Sequence, residues 1–210
     1  MRSLKPCFVV ILSLAGIAWQ LNNSVRSEAQ TTRWATGNRS ANADQEPPAR
    51  DVLKLPLQNP YIIILKSRRE LELYSDGALI RTYRVGLGLN PIADKKQEGD
   101  RATPEGEFYI FTKNPKSAYH LSLGISYPNA EDAKRGLRDG LISQVEHDAI
   151  VRAIKKKKMP PQNTQLGGEI YIHGHGAKSD WTWGCVALEN EDIAELYKVV
   201  EVGTPVIIKQ

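Results

Sequence analysis

From Pro60 onward, apolar residues recur at every second position. Tyr61–Lys66 (YIIILK) is a β-branched apolar run, and Glu70–Tyr74 (ELELY) alternates strictly, which puts Leu71 and Leu73 on one face. Ser75-Asp76-Gly77 has the chemistry of a hairpin turn, so Leu79–Gly86 (LIRTYRVG) is expected to return as a strand. Thr103-Pro104-Glu105-Gly106 predicts a tight turn, followed by a strand over Glu107–Thr112. His120–Ser126 (HLSLGIS) alternates again. The period then lengthens. Asn129 predicts the cap of a helix that runs through Arg138 and is stopped by Gly140. Ser143 and Glu146 form a capping-box pair ahead of Val145, Ala149, Ile150, Ala153 and Ile154, which share one helical face. Glu169–His173 (EIYIH) goes back to strand. A third helix starts near Asn190, where Glu191 and Asp192 suit its N-terminal dipole, and Gly203 ends it before a last strand, Pro205–Ile208. The expected class is mainly β (α+β), with a few short helices and no internal repeat.

Before Pro60 the pattern is different. Arg2 and Lys5 precede CFVVILSLAGIAWQL (Cys7–Leu21), 15 mostly apolar residues, and Ser27-Glu28-Ala29 is a small-x-small site. This is the order of an export signal, and the run is short for a membrane span of about 20 residues. Cleavage after Ala29 and retention as an uncleaved anchor both stay open. An anchor would be the chain's only link to a membrane. Cys7 lacks the small-residue box of a lipoprotein junction, so lipidation is not expected. Residues 30–58 are rich in Thr, Asn, Ser, Ala, Gln and Pro without an apolar period, the composition of a disordered linker. The expected organisation is thus signal or anchor over 1–29, linker over 30–58 and one domain over 59–210.

Composition adds little to this picture. Of 210 residues, 41% are hydrophobic and 25% charged, enough apolar material for an ordinary core. The chain has 28 basic and 24 acidic residues; removing Arg2, Lys5, Arg26 and Glu28 with the signal leaves 25 and 23. A balance of +2 gives no argument for a nucleic-acid partner. Lys155–Lys158 reads as a solvated helix end, where cations offset the C-terminal dipole. Gly86-Leu87-Gly88 lacks a third glycine and runs into Asn90-Pro91, so it reads as a loop after a strand and not as a phosphate cradle.

The candidate chemistry lies in HGHGAKSDWTWGC, His173 to Cys185. After export Cys185 would be the only thiol. Exported proteins tend to pair their cysteines, so a lone one points to catalysis ahead of inert burial. Two histidines two apart share a side of a strand, and with Asp180 and Cys185 they could hold zinc. The glycines at 174 and 176 argue that the strand stops at His173, so no metal or other cofactor is expected. A Cys–His pair is the remaining reading. A thiol with a pKa of about 8.5 needs a neighbouring base, and His173, at the end of a core strand, is rigidly placed to be one. No acid in the sequence is an obvious candidate to orient that histidine beyond Asp180. Gly184 lets backbone come close to a substrate, where amide N–H groups stabilise an oxyanion. Trp181 and Trp183 are either core residues or walls of the cleft. His175, beyond a glycine, is secondary.

These residues carry a resemblance. IHG and GC, with TPEGEF upstream and GTPVII downstream, resemble the L,D-transpeptidase catalytic domain of the YkuD type over roughly Tyr61 to Lys209. The resemblance implies a β-sandwich-like fold and an exported periplasmic or cell-envelope enzyme of wall building and cell shape. It implies thiolate attack by Cys185 on peptidoglycan tetrapeptide stems at the bond from an L-centre to a D-amino acid, with His173 moving the proton. An amine acceptor then resolves the acyl-enzyme. It also implies that the carbonyl of Gly174, and not an acid, orients His173. The chain departs from the usual Ser-His-Gly-Cys with Thr182-Trp183-Gly184-Cys185, has Ala187 where an arginine is usual, and shortens the histidine–cysteine spacing. These departures resemble a branch with hydrolytic members, so three alternatives stay open: an L,D-carboxypeptidase, an amidase releasing a wall-linked protein, and a non-catalytic peptidoglycan-binding module.

Overall fold

A computed structural model describes residues 51–210. Residues 1–50, with the expected signal or anchor and most of the expected linker, lie outside the described residues. Among the described residues no helix is long and apolar enough to cross a membrane. Residues 51–58 have no regular secondary structure, yet Leu53 and Leu57 pack against the main core. The end of the segment read as linker is therefore part of the packed unit.

Alternation builds the sheet as the sequence predicts. Strand β1 (Tyr61–Leu65) buries Ile62 and Ile64, and β2 (Glu70–Ser75) buries Leu71 and Leu73. The two-residue turn to β3 (Ala78–Arg84) has positive φ at both Asp76 (48°) and Gly77 (79°), the backbone whose twist matches the flanking strands. Strand β4 (Gly106–Ser117) is 12 residues long and pairs with β5 (His120–Ile125). Strand β6 (Tyr171–His173) pairs in parallel with β7 (Val186–Ala187), and β8 (Pro205–Lys209) inserts between β1 and β4.

The result is one mixed sheet in the order β3-β2-β1-β8-β4-β5-β6-β7. Its ends meet. Just past β3, Gly86 exchanges two backbone hydrogen bonds with Ala187 of β7, at 2.9 and 2.8 Å. The sheet thus closes on itself, and a single core fills it, with Ile64, Leu73 and Val206 from one half and Leu123, Ile172 and Val186 from the other. The two layers of the expected sandwich are opposite walls of this sheet, with β4 common to both.

Three short helices complete the domain. Helix α1 (Ala130–Arg138) is capped by Asn129 with a reciprocal bond from Asp132, and α2 (Gln144–Lys155) by Ser143 with Glu146. They cover a satellite cluster of Ala133, Ile142, Ile150 and Leu166. Helix α3 (Asn190–Val199) puts Ile193 and Leu196 into the main core.

The long connection from β3 to β4, residues 85–105, is held from below by two buried lysines. Lys66 Nζ donates to Ala93 O (2.7 Å), Thr103 O (3.1 Å) and Glu105 Oε1 (2.8 Å). Lys95 Nζ donates to Gln97 O (3.0 Å) and Asp100 Oδ1 (2.9 Å). Charge is tolerated there because each ammonium meets a carboxylate and carbonyl oxygens.

Candidate active site

The pairing of β6 with β7 creates the site. Ile172 faces Val186 and His173 faces Ala187, so Cys185, one residue before β7, stands beside Tyr171. Strand alternation then puts the side chains of Tyr171, His173 and Cys185 on one face. His173 and Cys185 line the same cleft, about 320 Å³ in volume, together with Tyr119 and Glu169. The glycine argument for where the strand stops holds: β6 ends at His173.

The thiol is partly exposed and held by backbone. It accepts from Tyr171 N–H at 3.4 Å and donates to Glu169 O at 3.5 Å. Burial pushes its pKa up to about 11; the Tyr171 N–H and the Lys95 charge pull it down, and the Glu169 carboxylate adds to the rise. At rest the sulfur carries its proton.

His173 is 3% exposed. Its Nδ1 lies 2.8 Å from Gly174 O. A carbonyl oxygen only accepts, so Nδ1 carries the proton and Nε2 of the neutral ring is a free base. Burial lowers the pKa of this histidine, the bond to Gly174 opposes that, and the nearby His175 lowers it further. The resting pair is therefore a neutral thiol and a neutral imidazole, able to pass a proton from sulfur to nitrogen when an electrophile arrives.

Gly174 has no room for a side chain: a Cβ there would lie 2.5 Å from Asn190 Oδ1 and 2.9 Å from Tyr119 O. Its N–H donates to Tyr119 O at 3.0 Å, and the Tyr119 ring sits 4.7 Å from the His173 ring. The ring of Trp181 packs edge-on against His173 at 5.6 Å. Two aromatic rings thus fix the imidazole plane from the sides that its hydrogen bond does not.

Several residues singled out in the sequence lie elsewhere. Asp180 does not reach His173. It takes a bidentate ion pair from Arg69 (Nη2 to Oδ2, 2.8 Å) and the N–H of Leu87 at 2.9 Å, so it staples the cysteine loop to the turn after β1. Of the two tryptophans, Trp181 is the one against the histidine; Trp183 is 65% exposed, under the guanidinium of Arg101 at 4.6 Å. The N–H of Gly184 donates to Thr182 Oγ1 at 3.1 Å and is thus spent inside the turn. Gly184 has φ +123°, and a Cβ would lie 2.7 Å from Ala102 O, so only glycine fits. His175 is exposed, its N–H bound to Asn190 Oδ1 at 3.0 Å. Among the described residues no group of three or more His, Cys, Asp or Glu gathers as metal ligands would.

Two contributors were missed in the sequence. Buried Thr182 donates from Oγ1 to Cys185 O at 2.7 Å while accepting from Gly184, which ties the turn that presents the thiol. Tyr119 sits on the turn between β4 and β5, and the two alternating strands around it were the only signal for that position.

Several known proteins are similar to this chain. A putative L,D-transpeptidase, YafK, from Escherichia coli K12 is 26% identical over 147 residues, 67% of this chain and 46% of YafK. The chain thus spans about half the length of the curated relatives it matches. The helical cell shape determining protein Pgp2 (K307A) of Campylobacter jejuni superposes with a TM-score of 0.50 at 24% identity, covering 73% of this chain and 48% of Pgp2. An L,D-transpeptidase from Mycobacterium smegmatis gives 0.44 at 13%, covering 72% and 59%. Residues 59–208 match the YkuD family, the L,D-transpeptidase catalytic domain, and the chain belongs to that family.

Proposed function

We propose that the chain is an exported peptidoglycan L,D-transpeptidase with Cys185 as nucleophile and His173 as proton carrier. The observation that carries the reading is His173: its Nδ1–H is bound to Gly174 O, its Nε2 is free, and it shares a cleft with the one cysteine among the described residues. Sγ attacks the carbonyl carbon of the stem's L-residue as its proton passes to Nε2. The C–N bond to the terminal D-amino acid breaks, and the imidazolium gives the proton to the departing amine. The thioester left on Cys185 is attacked by an acceptor amine, whose proton goes to Nε2. On collapse, sulfur recovers that proton.

Gly174 orients the histidine, and Gly184, closed up by Thr182, shapes the turn that carries the nucleophile. Water in place of the amine makes the same site a hydrolase by the same first step. Purified protein incubated with tetrapeptide muropeptides, with products read by mass, tests the reading. Joined stems are expected. Free tripeptide stems alone, or release of a wall-linked protein, mean hydrolysis, and intact tetrapeptides contradict the proposal. The export part rests on Arg2, Lys5 and the Cys7–Leu21 run. A reporter enzyme that works only outside the cytoplasm, fused after Gln210, is expected to be active; silence of that reporter contradicts export.

A further inference from the structure

We propose that Trp183 and Arg101 form a saccharide platform beside the nucleophile, on which the stem-bearing amino sugar of the glycan strand stacks. The proposal rests on the peptidoglycan reading above and names a second contact that reading does not supply. Trp183 is exposed over 65% of its surface, although an indole is among the most favourable groups to bury. The Arg101 guanidinium lies over its ring at 4.6 Å. Among the described residues this arginine has no carboxylate partner, unlike Arg69 with Asp180 or Arg81 with Glu195. Its donors are therefore unspent, and its stacking holds a large flat group ready.

Both residues are fixed by backbone. Asn90 N–H donates to Arg101 O at 3.0 Å, and Leu89 N–H donates to Thr182 O at 3.0 Å. Trp183 lies inside the turn that Thr182 closes onto Cys185. An exposed aromatic next to unspent guanidinium donors suits a sugar: ring C–H bonds, positive at their edge, meet the negative face of the indole, while hydroxyl and acyl oxygens accept from arginine. The spacing is compatible. Two residues span at most about 7 Å of backbone, and a stem extended over three residues reaches roughly 10 Å, so a sugar on Trp183 leaves the third residue's carbonyl within reach of Cys185.

The test is a ratio. Turnover of a disaccharide-tetrapeptide and of the same tetrapeptide without sugar is measured with the full chain and with Trp183→Ala. The ratio of the two kcat/KM values is expected to favour the disaccharide in the parent and to fall by roughly tenfold in the variant, the worth of a stacking contact. Trp183→Phe is expected to keep most of the ratio, and Arg101→Ala to lower it. An unchanged ratio in Trp183→Ala, or a parent that prefers the bare peptide, overturns the platform. If neither donor is turned over by the parent, it is the transpeptidase reading that fails. A peptide-free disaccharide titrated into the full chain gives an independent reading by NMR. The indole N–H signal that disappears in Trp183→Ala is expected to shift, and a signal that does not move overturns the proposal.

Discussion

His173 Nδ1 lies 2.8 Å from the carbonyl oxygen of the next residue, Gly174, and in the proposed mechanism this contact takes the place of the acid in a Cys–His–acid triad. It requires that Gly174 stay small. Gly174→Ala drives a methyl to within 2.5 Å of Asn190 Oδ1 and 2.9 Å of Tyr119 O. The expected outcome is a loss of about 1–3 kcal/mol in stability and a slower acylation of Cys185, read by thermal unfolding and by release of the D-amino acid. An unaltered acylation rate contradicts the orienting role.

The resting pair predicts a specific pH behaviour. With the thiol pKa near 11, alkylation of the free enzyme by iodoacetamide is expected to be slow at pH 7 and to climb toward pH 11. A plateau reached by pH 8 contradicts a neutral resting thiol. The same two groups shape stability. His173 is lowered when folded, so the unfolded chain binds its proton first as pH falls. Its contribution is complete above the unfolded value of about 6.5 and is lost as pH drops below it. Cys185 is raised when folded, so its contribution is complete below the unfolded pKa and is lost as pH rises toward 11. Unfolding midpoints measured across pH are expected to decline at both ends.

Thr182 is a buried hydroxyl that accepts from Gly184 N–H and donates to Cys185 O. Thr182→Val keeps the shape and removes both bonds, leaving a carbonyl and an N–H without partners, at a cost of about 1–3 kcal/mol. Acylation is expected to fall as the thiol's turn loosens, and Thr182→Ser is expected to restore it. Equal rates for the valine and serine variants contradict the tie.

How much of this was legible in the sequence follows from the range of the forces involved. Strands and helix caps are set by neighbours, so ELELY, the Asp76-Gly77 turn and the Ser143–Glu146 box all read correctly. The end of β6 at His173 read correctly for the same reason, because Gly174 follows it. Strand β7 was invisible, since two residues carry no period and it exists only by pairing with β6 and Gly86. Asp180 looked like a partner for His173 because it lies in the same short segment as His173 and Cys185, while its partner in space, Arg69, is 111 residues away. The burial of Lys66 had no local signal, because its acceptors Ala93, Thr103 and Glu105 belong to a connection far along the chain.

Lys66 allows a direct check of that loop. Lys66→Met removes the donor for Ala93 O and Thr103 O and leaves Glu105 with Gln210 Nε2 and solvent. Leaving the two carbonyls without their donor costs about 1–3 kcal/mol. Lower thermal stability and faster proteolysis within residues 85–105 are expected, and unchanged protection of that segment contradicts the clamp.

The central claim is that Cys185 becomes acylated through His173, and intact-mass measurement during turnover of a tetrapeptide donor tests it most directly. The parent chain is expected to gain the mass of the stem acyl group as the D-amino acid is released. Cys185→Ala is expected to gain nothing and to release nothing. His173→Ala is expected to acylate slower by a factor on the order of 10²–10⁴, the usual worth of a general base, and His175→Ala to lose far less; a chelator is expected to change nothing. Release of the D-amino acid by Cys185→Ala, abolished by a chelator, would contradict the account.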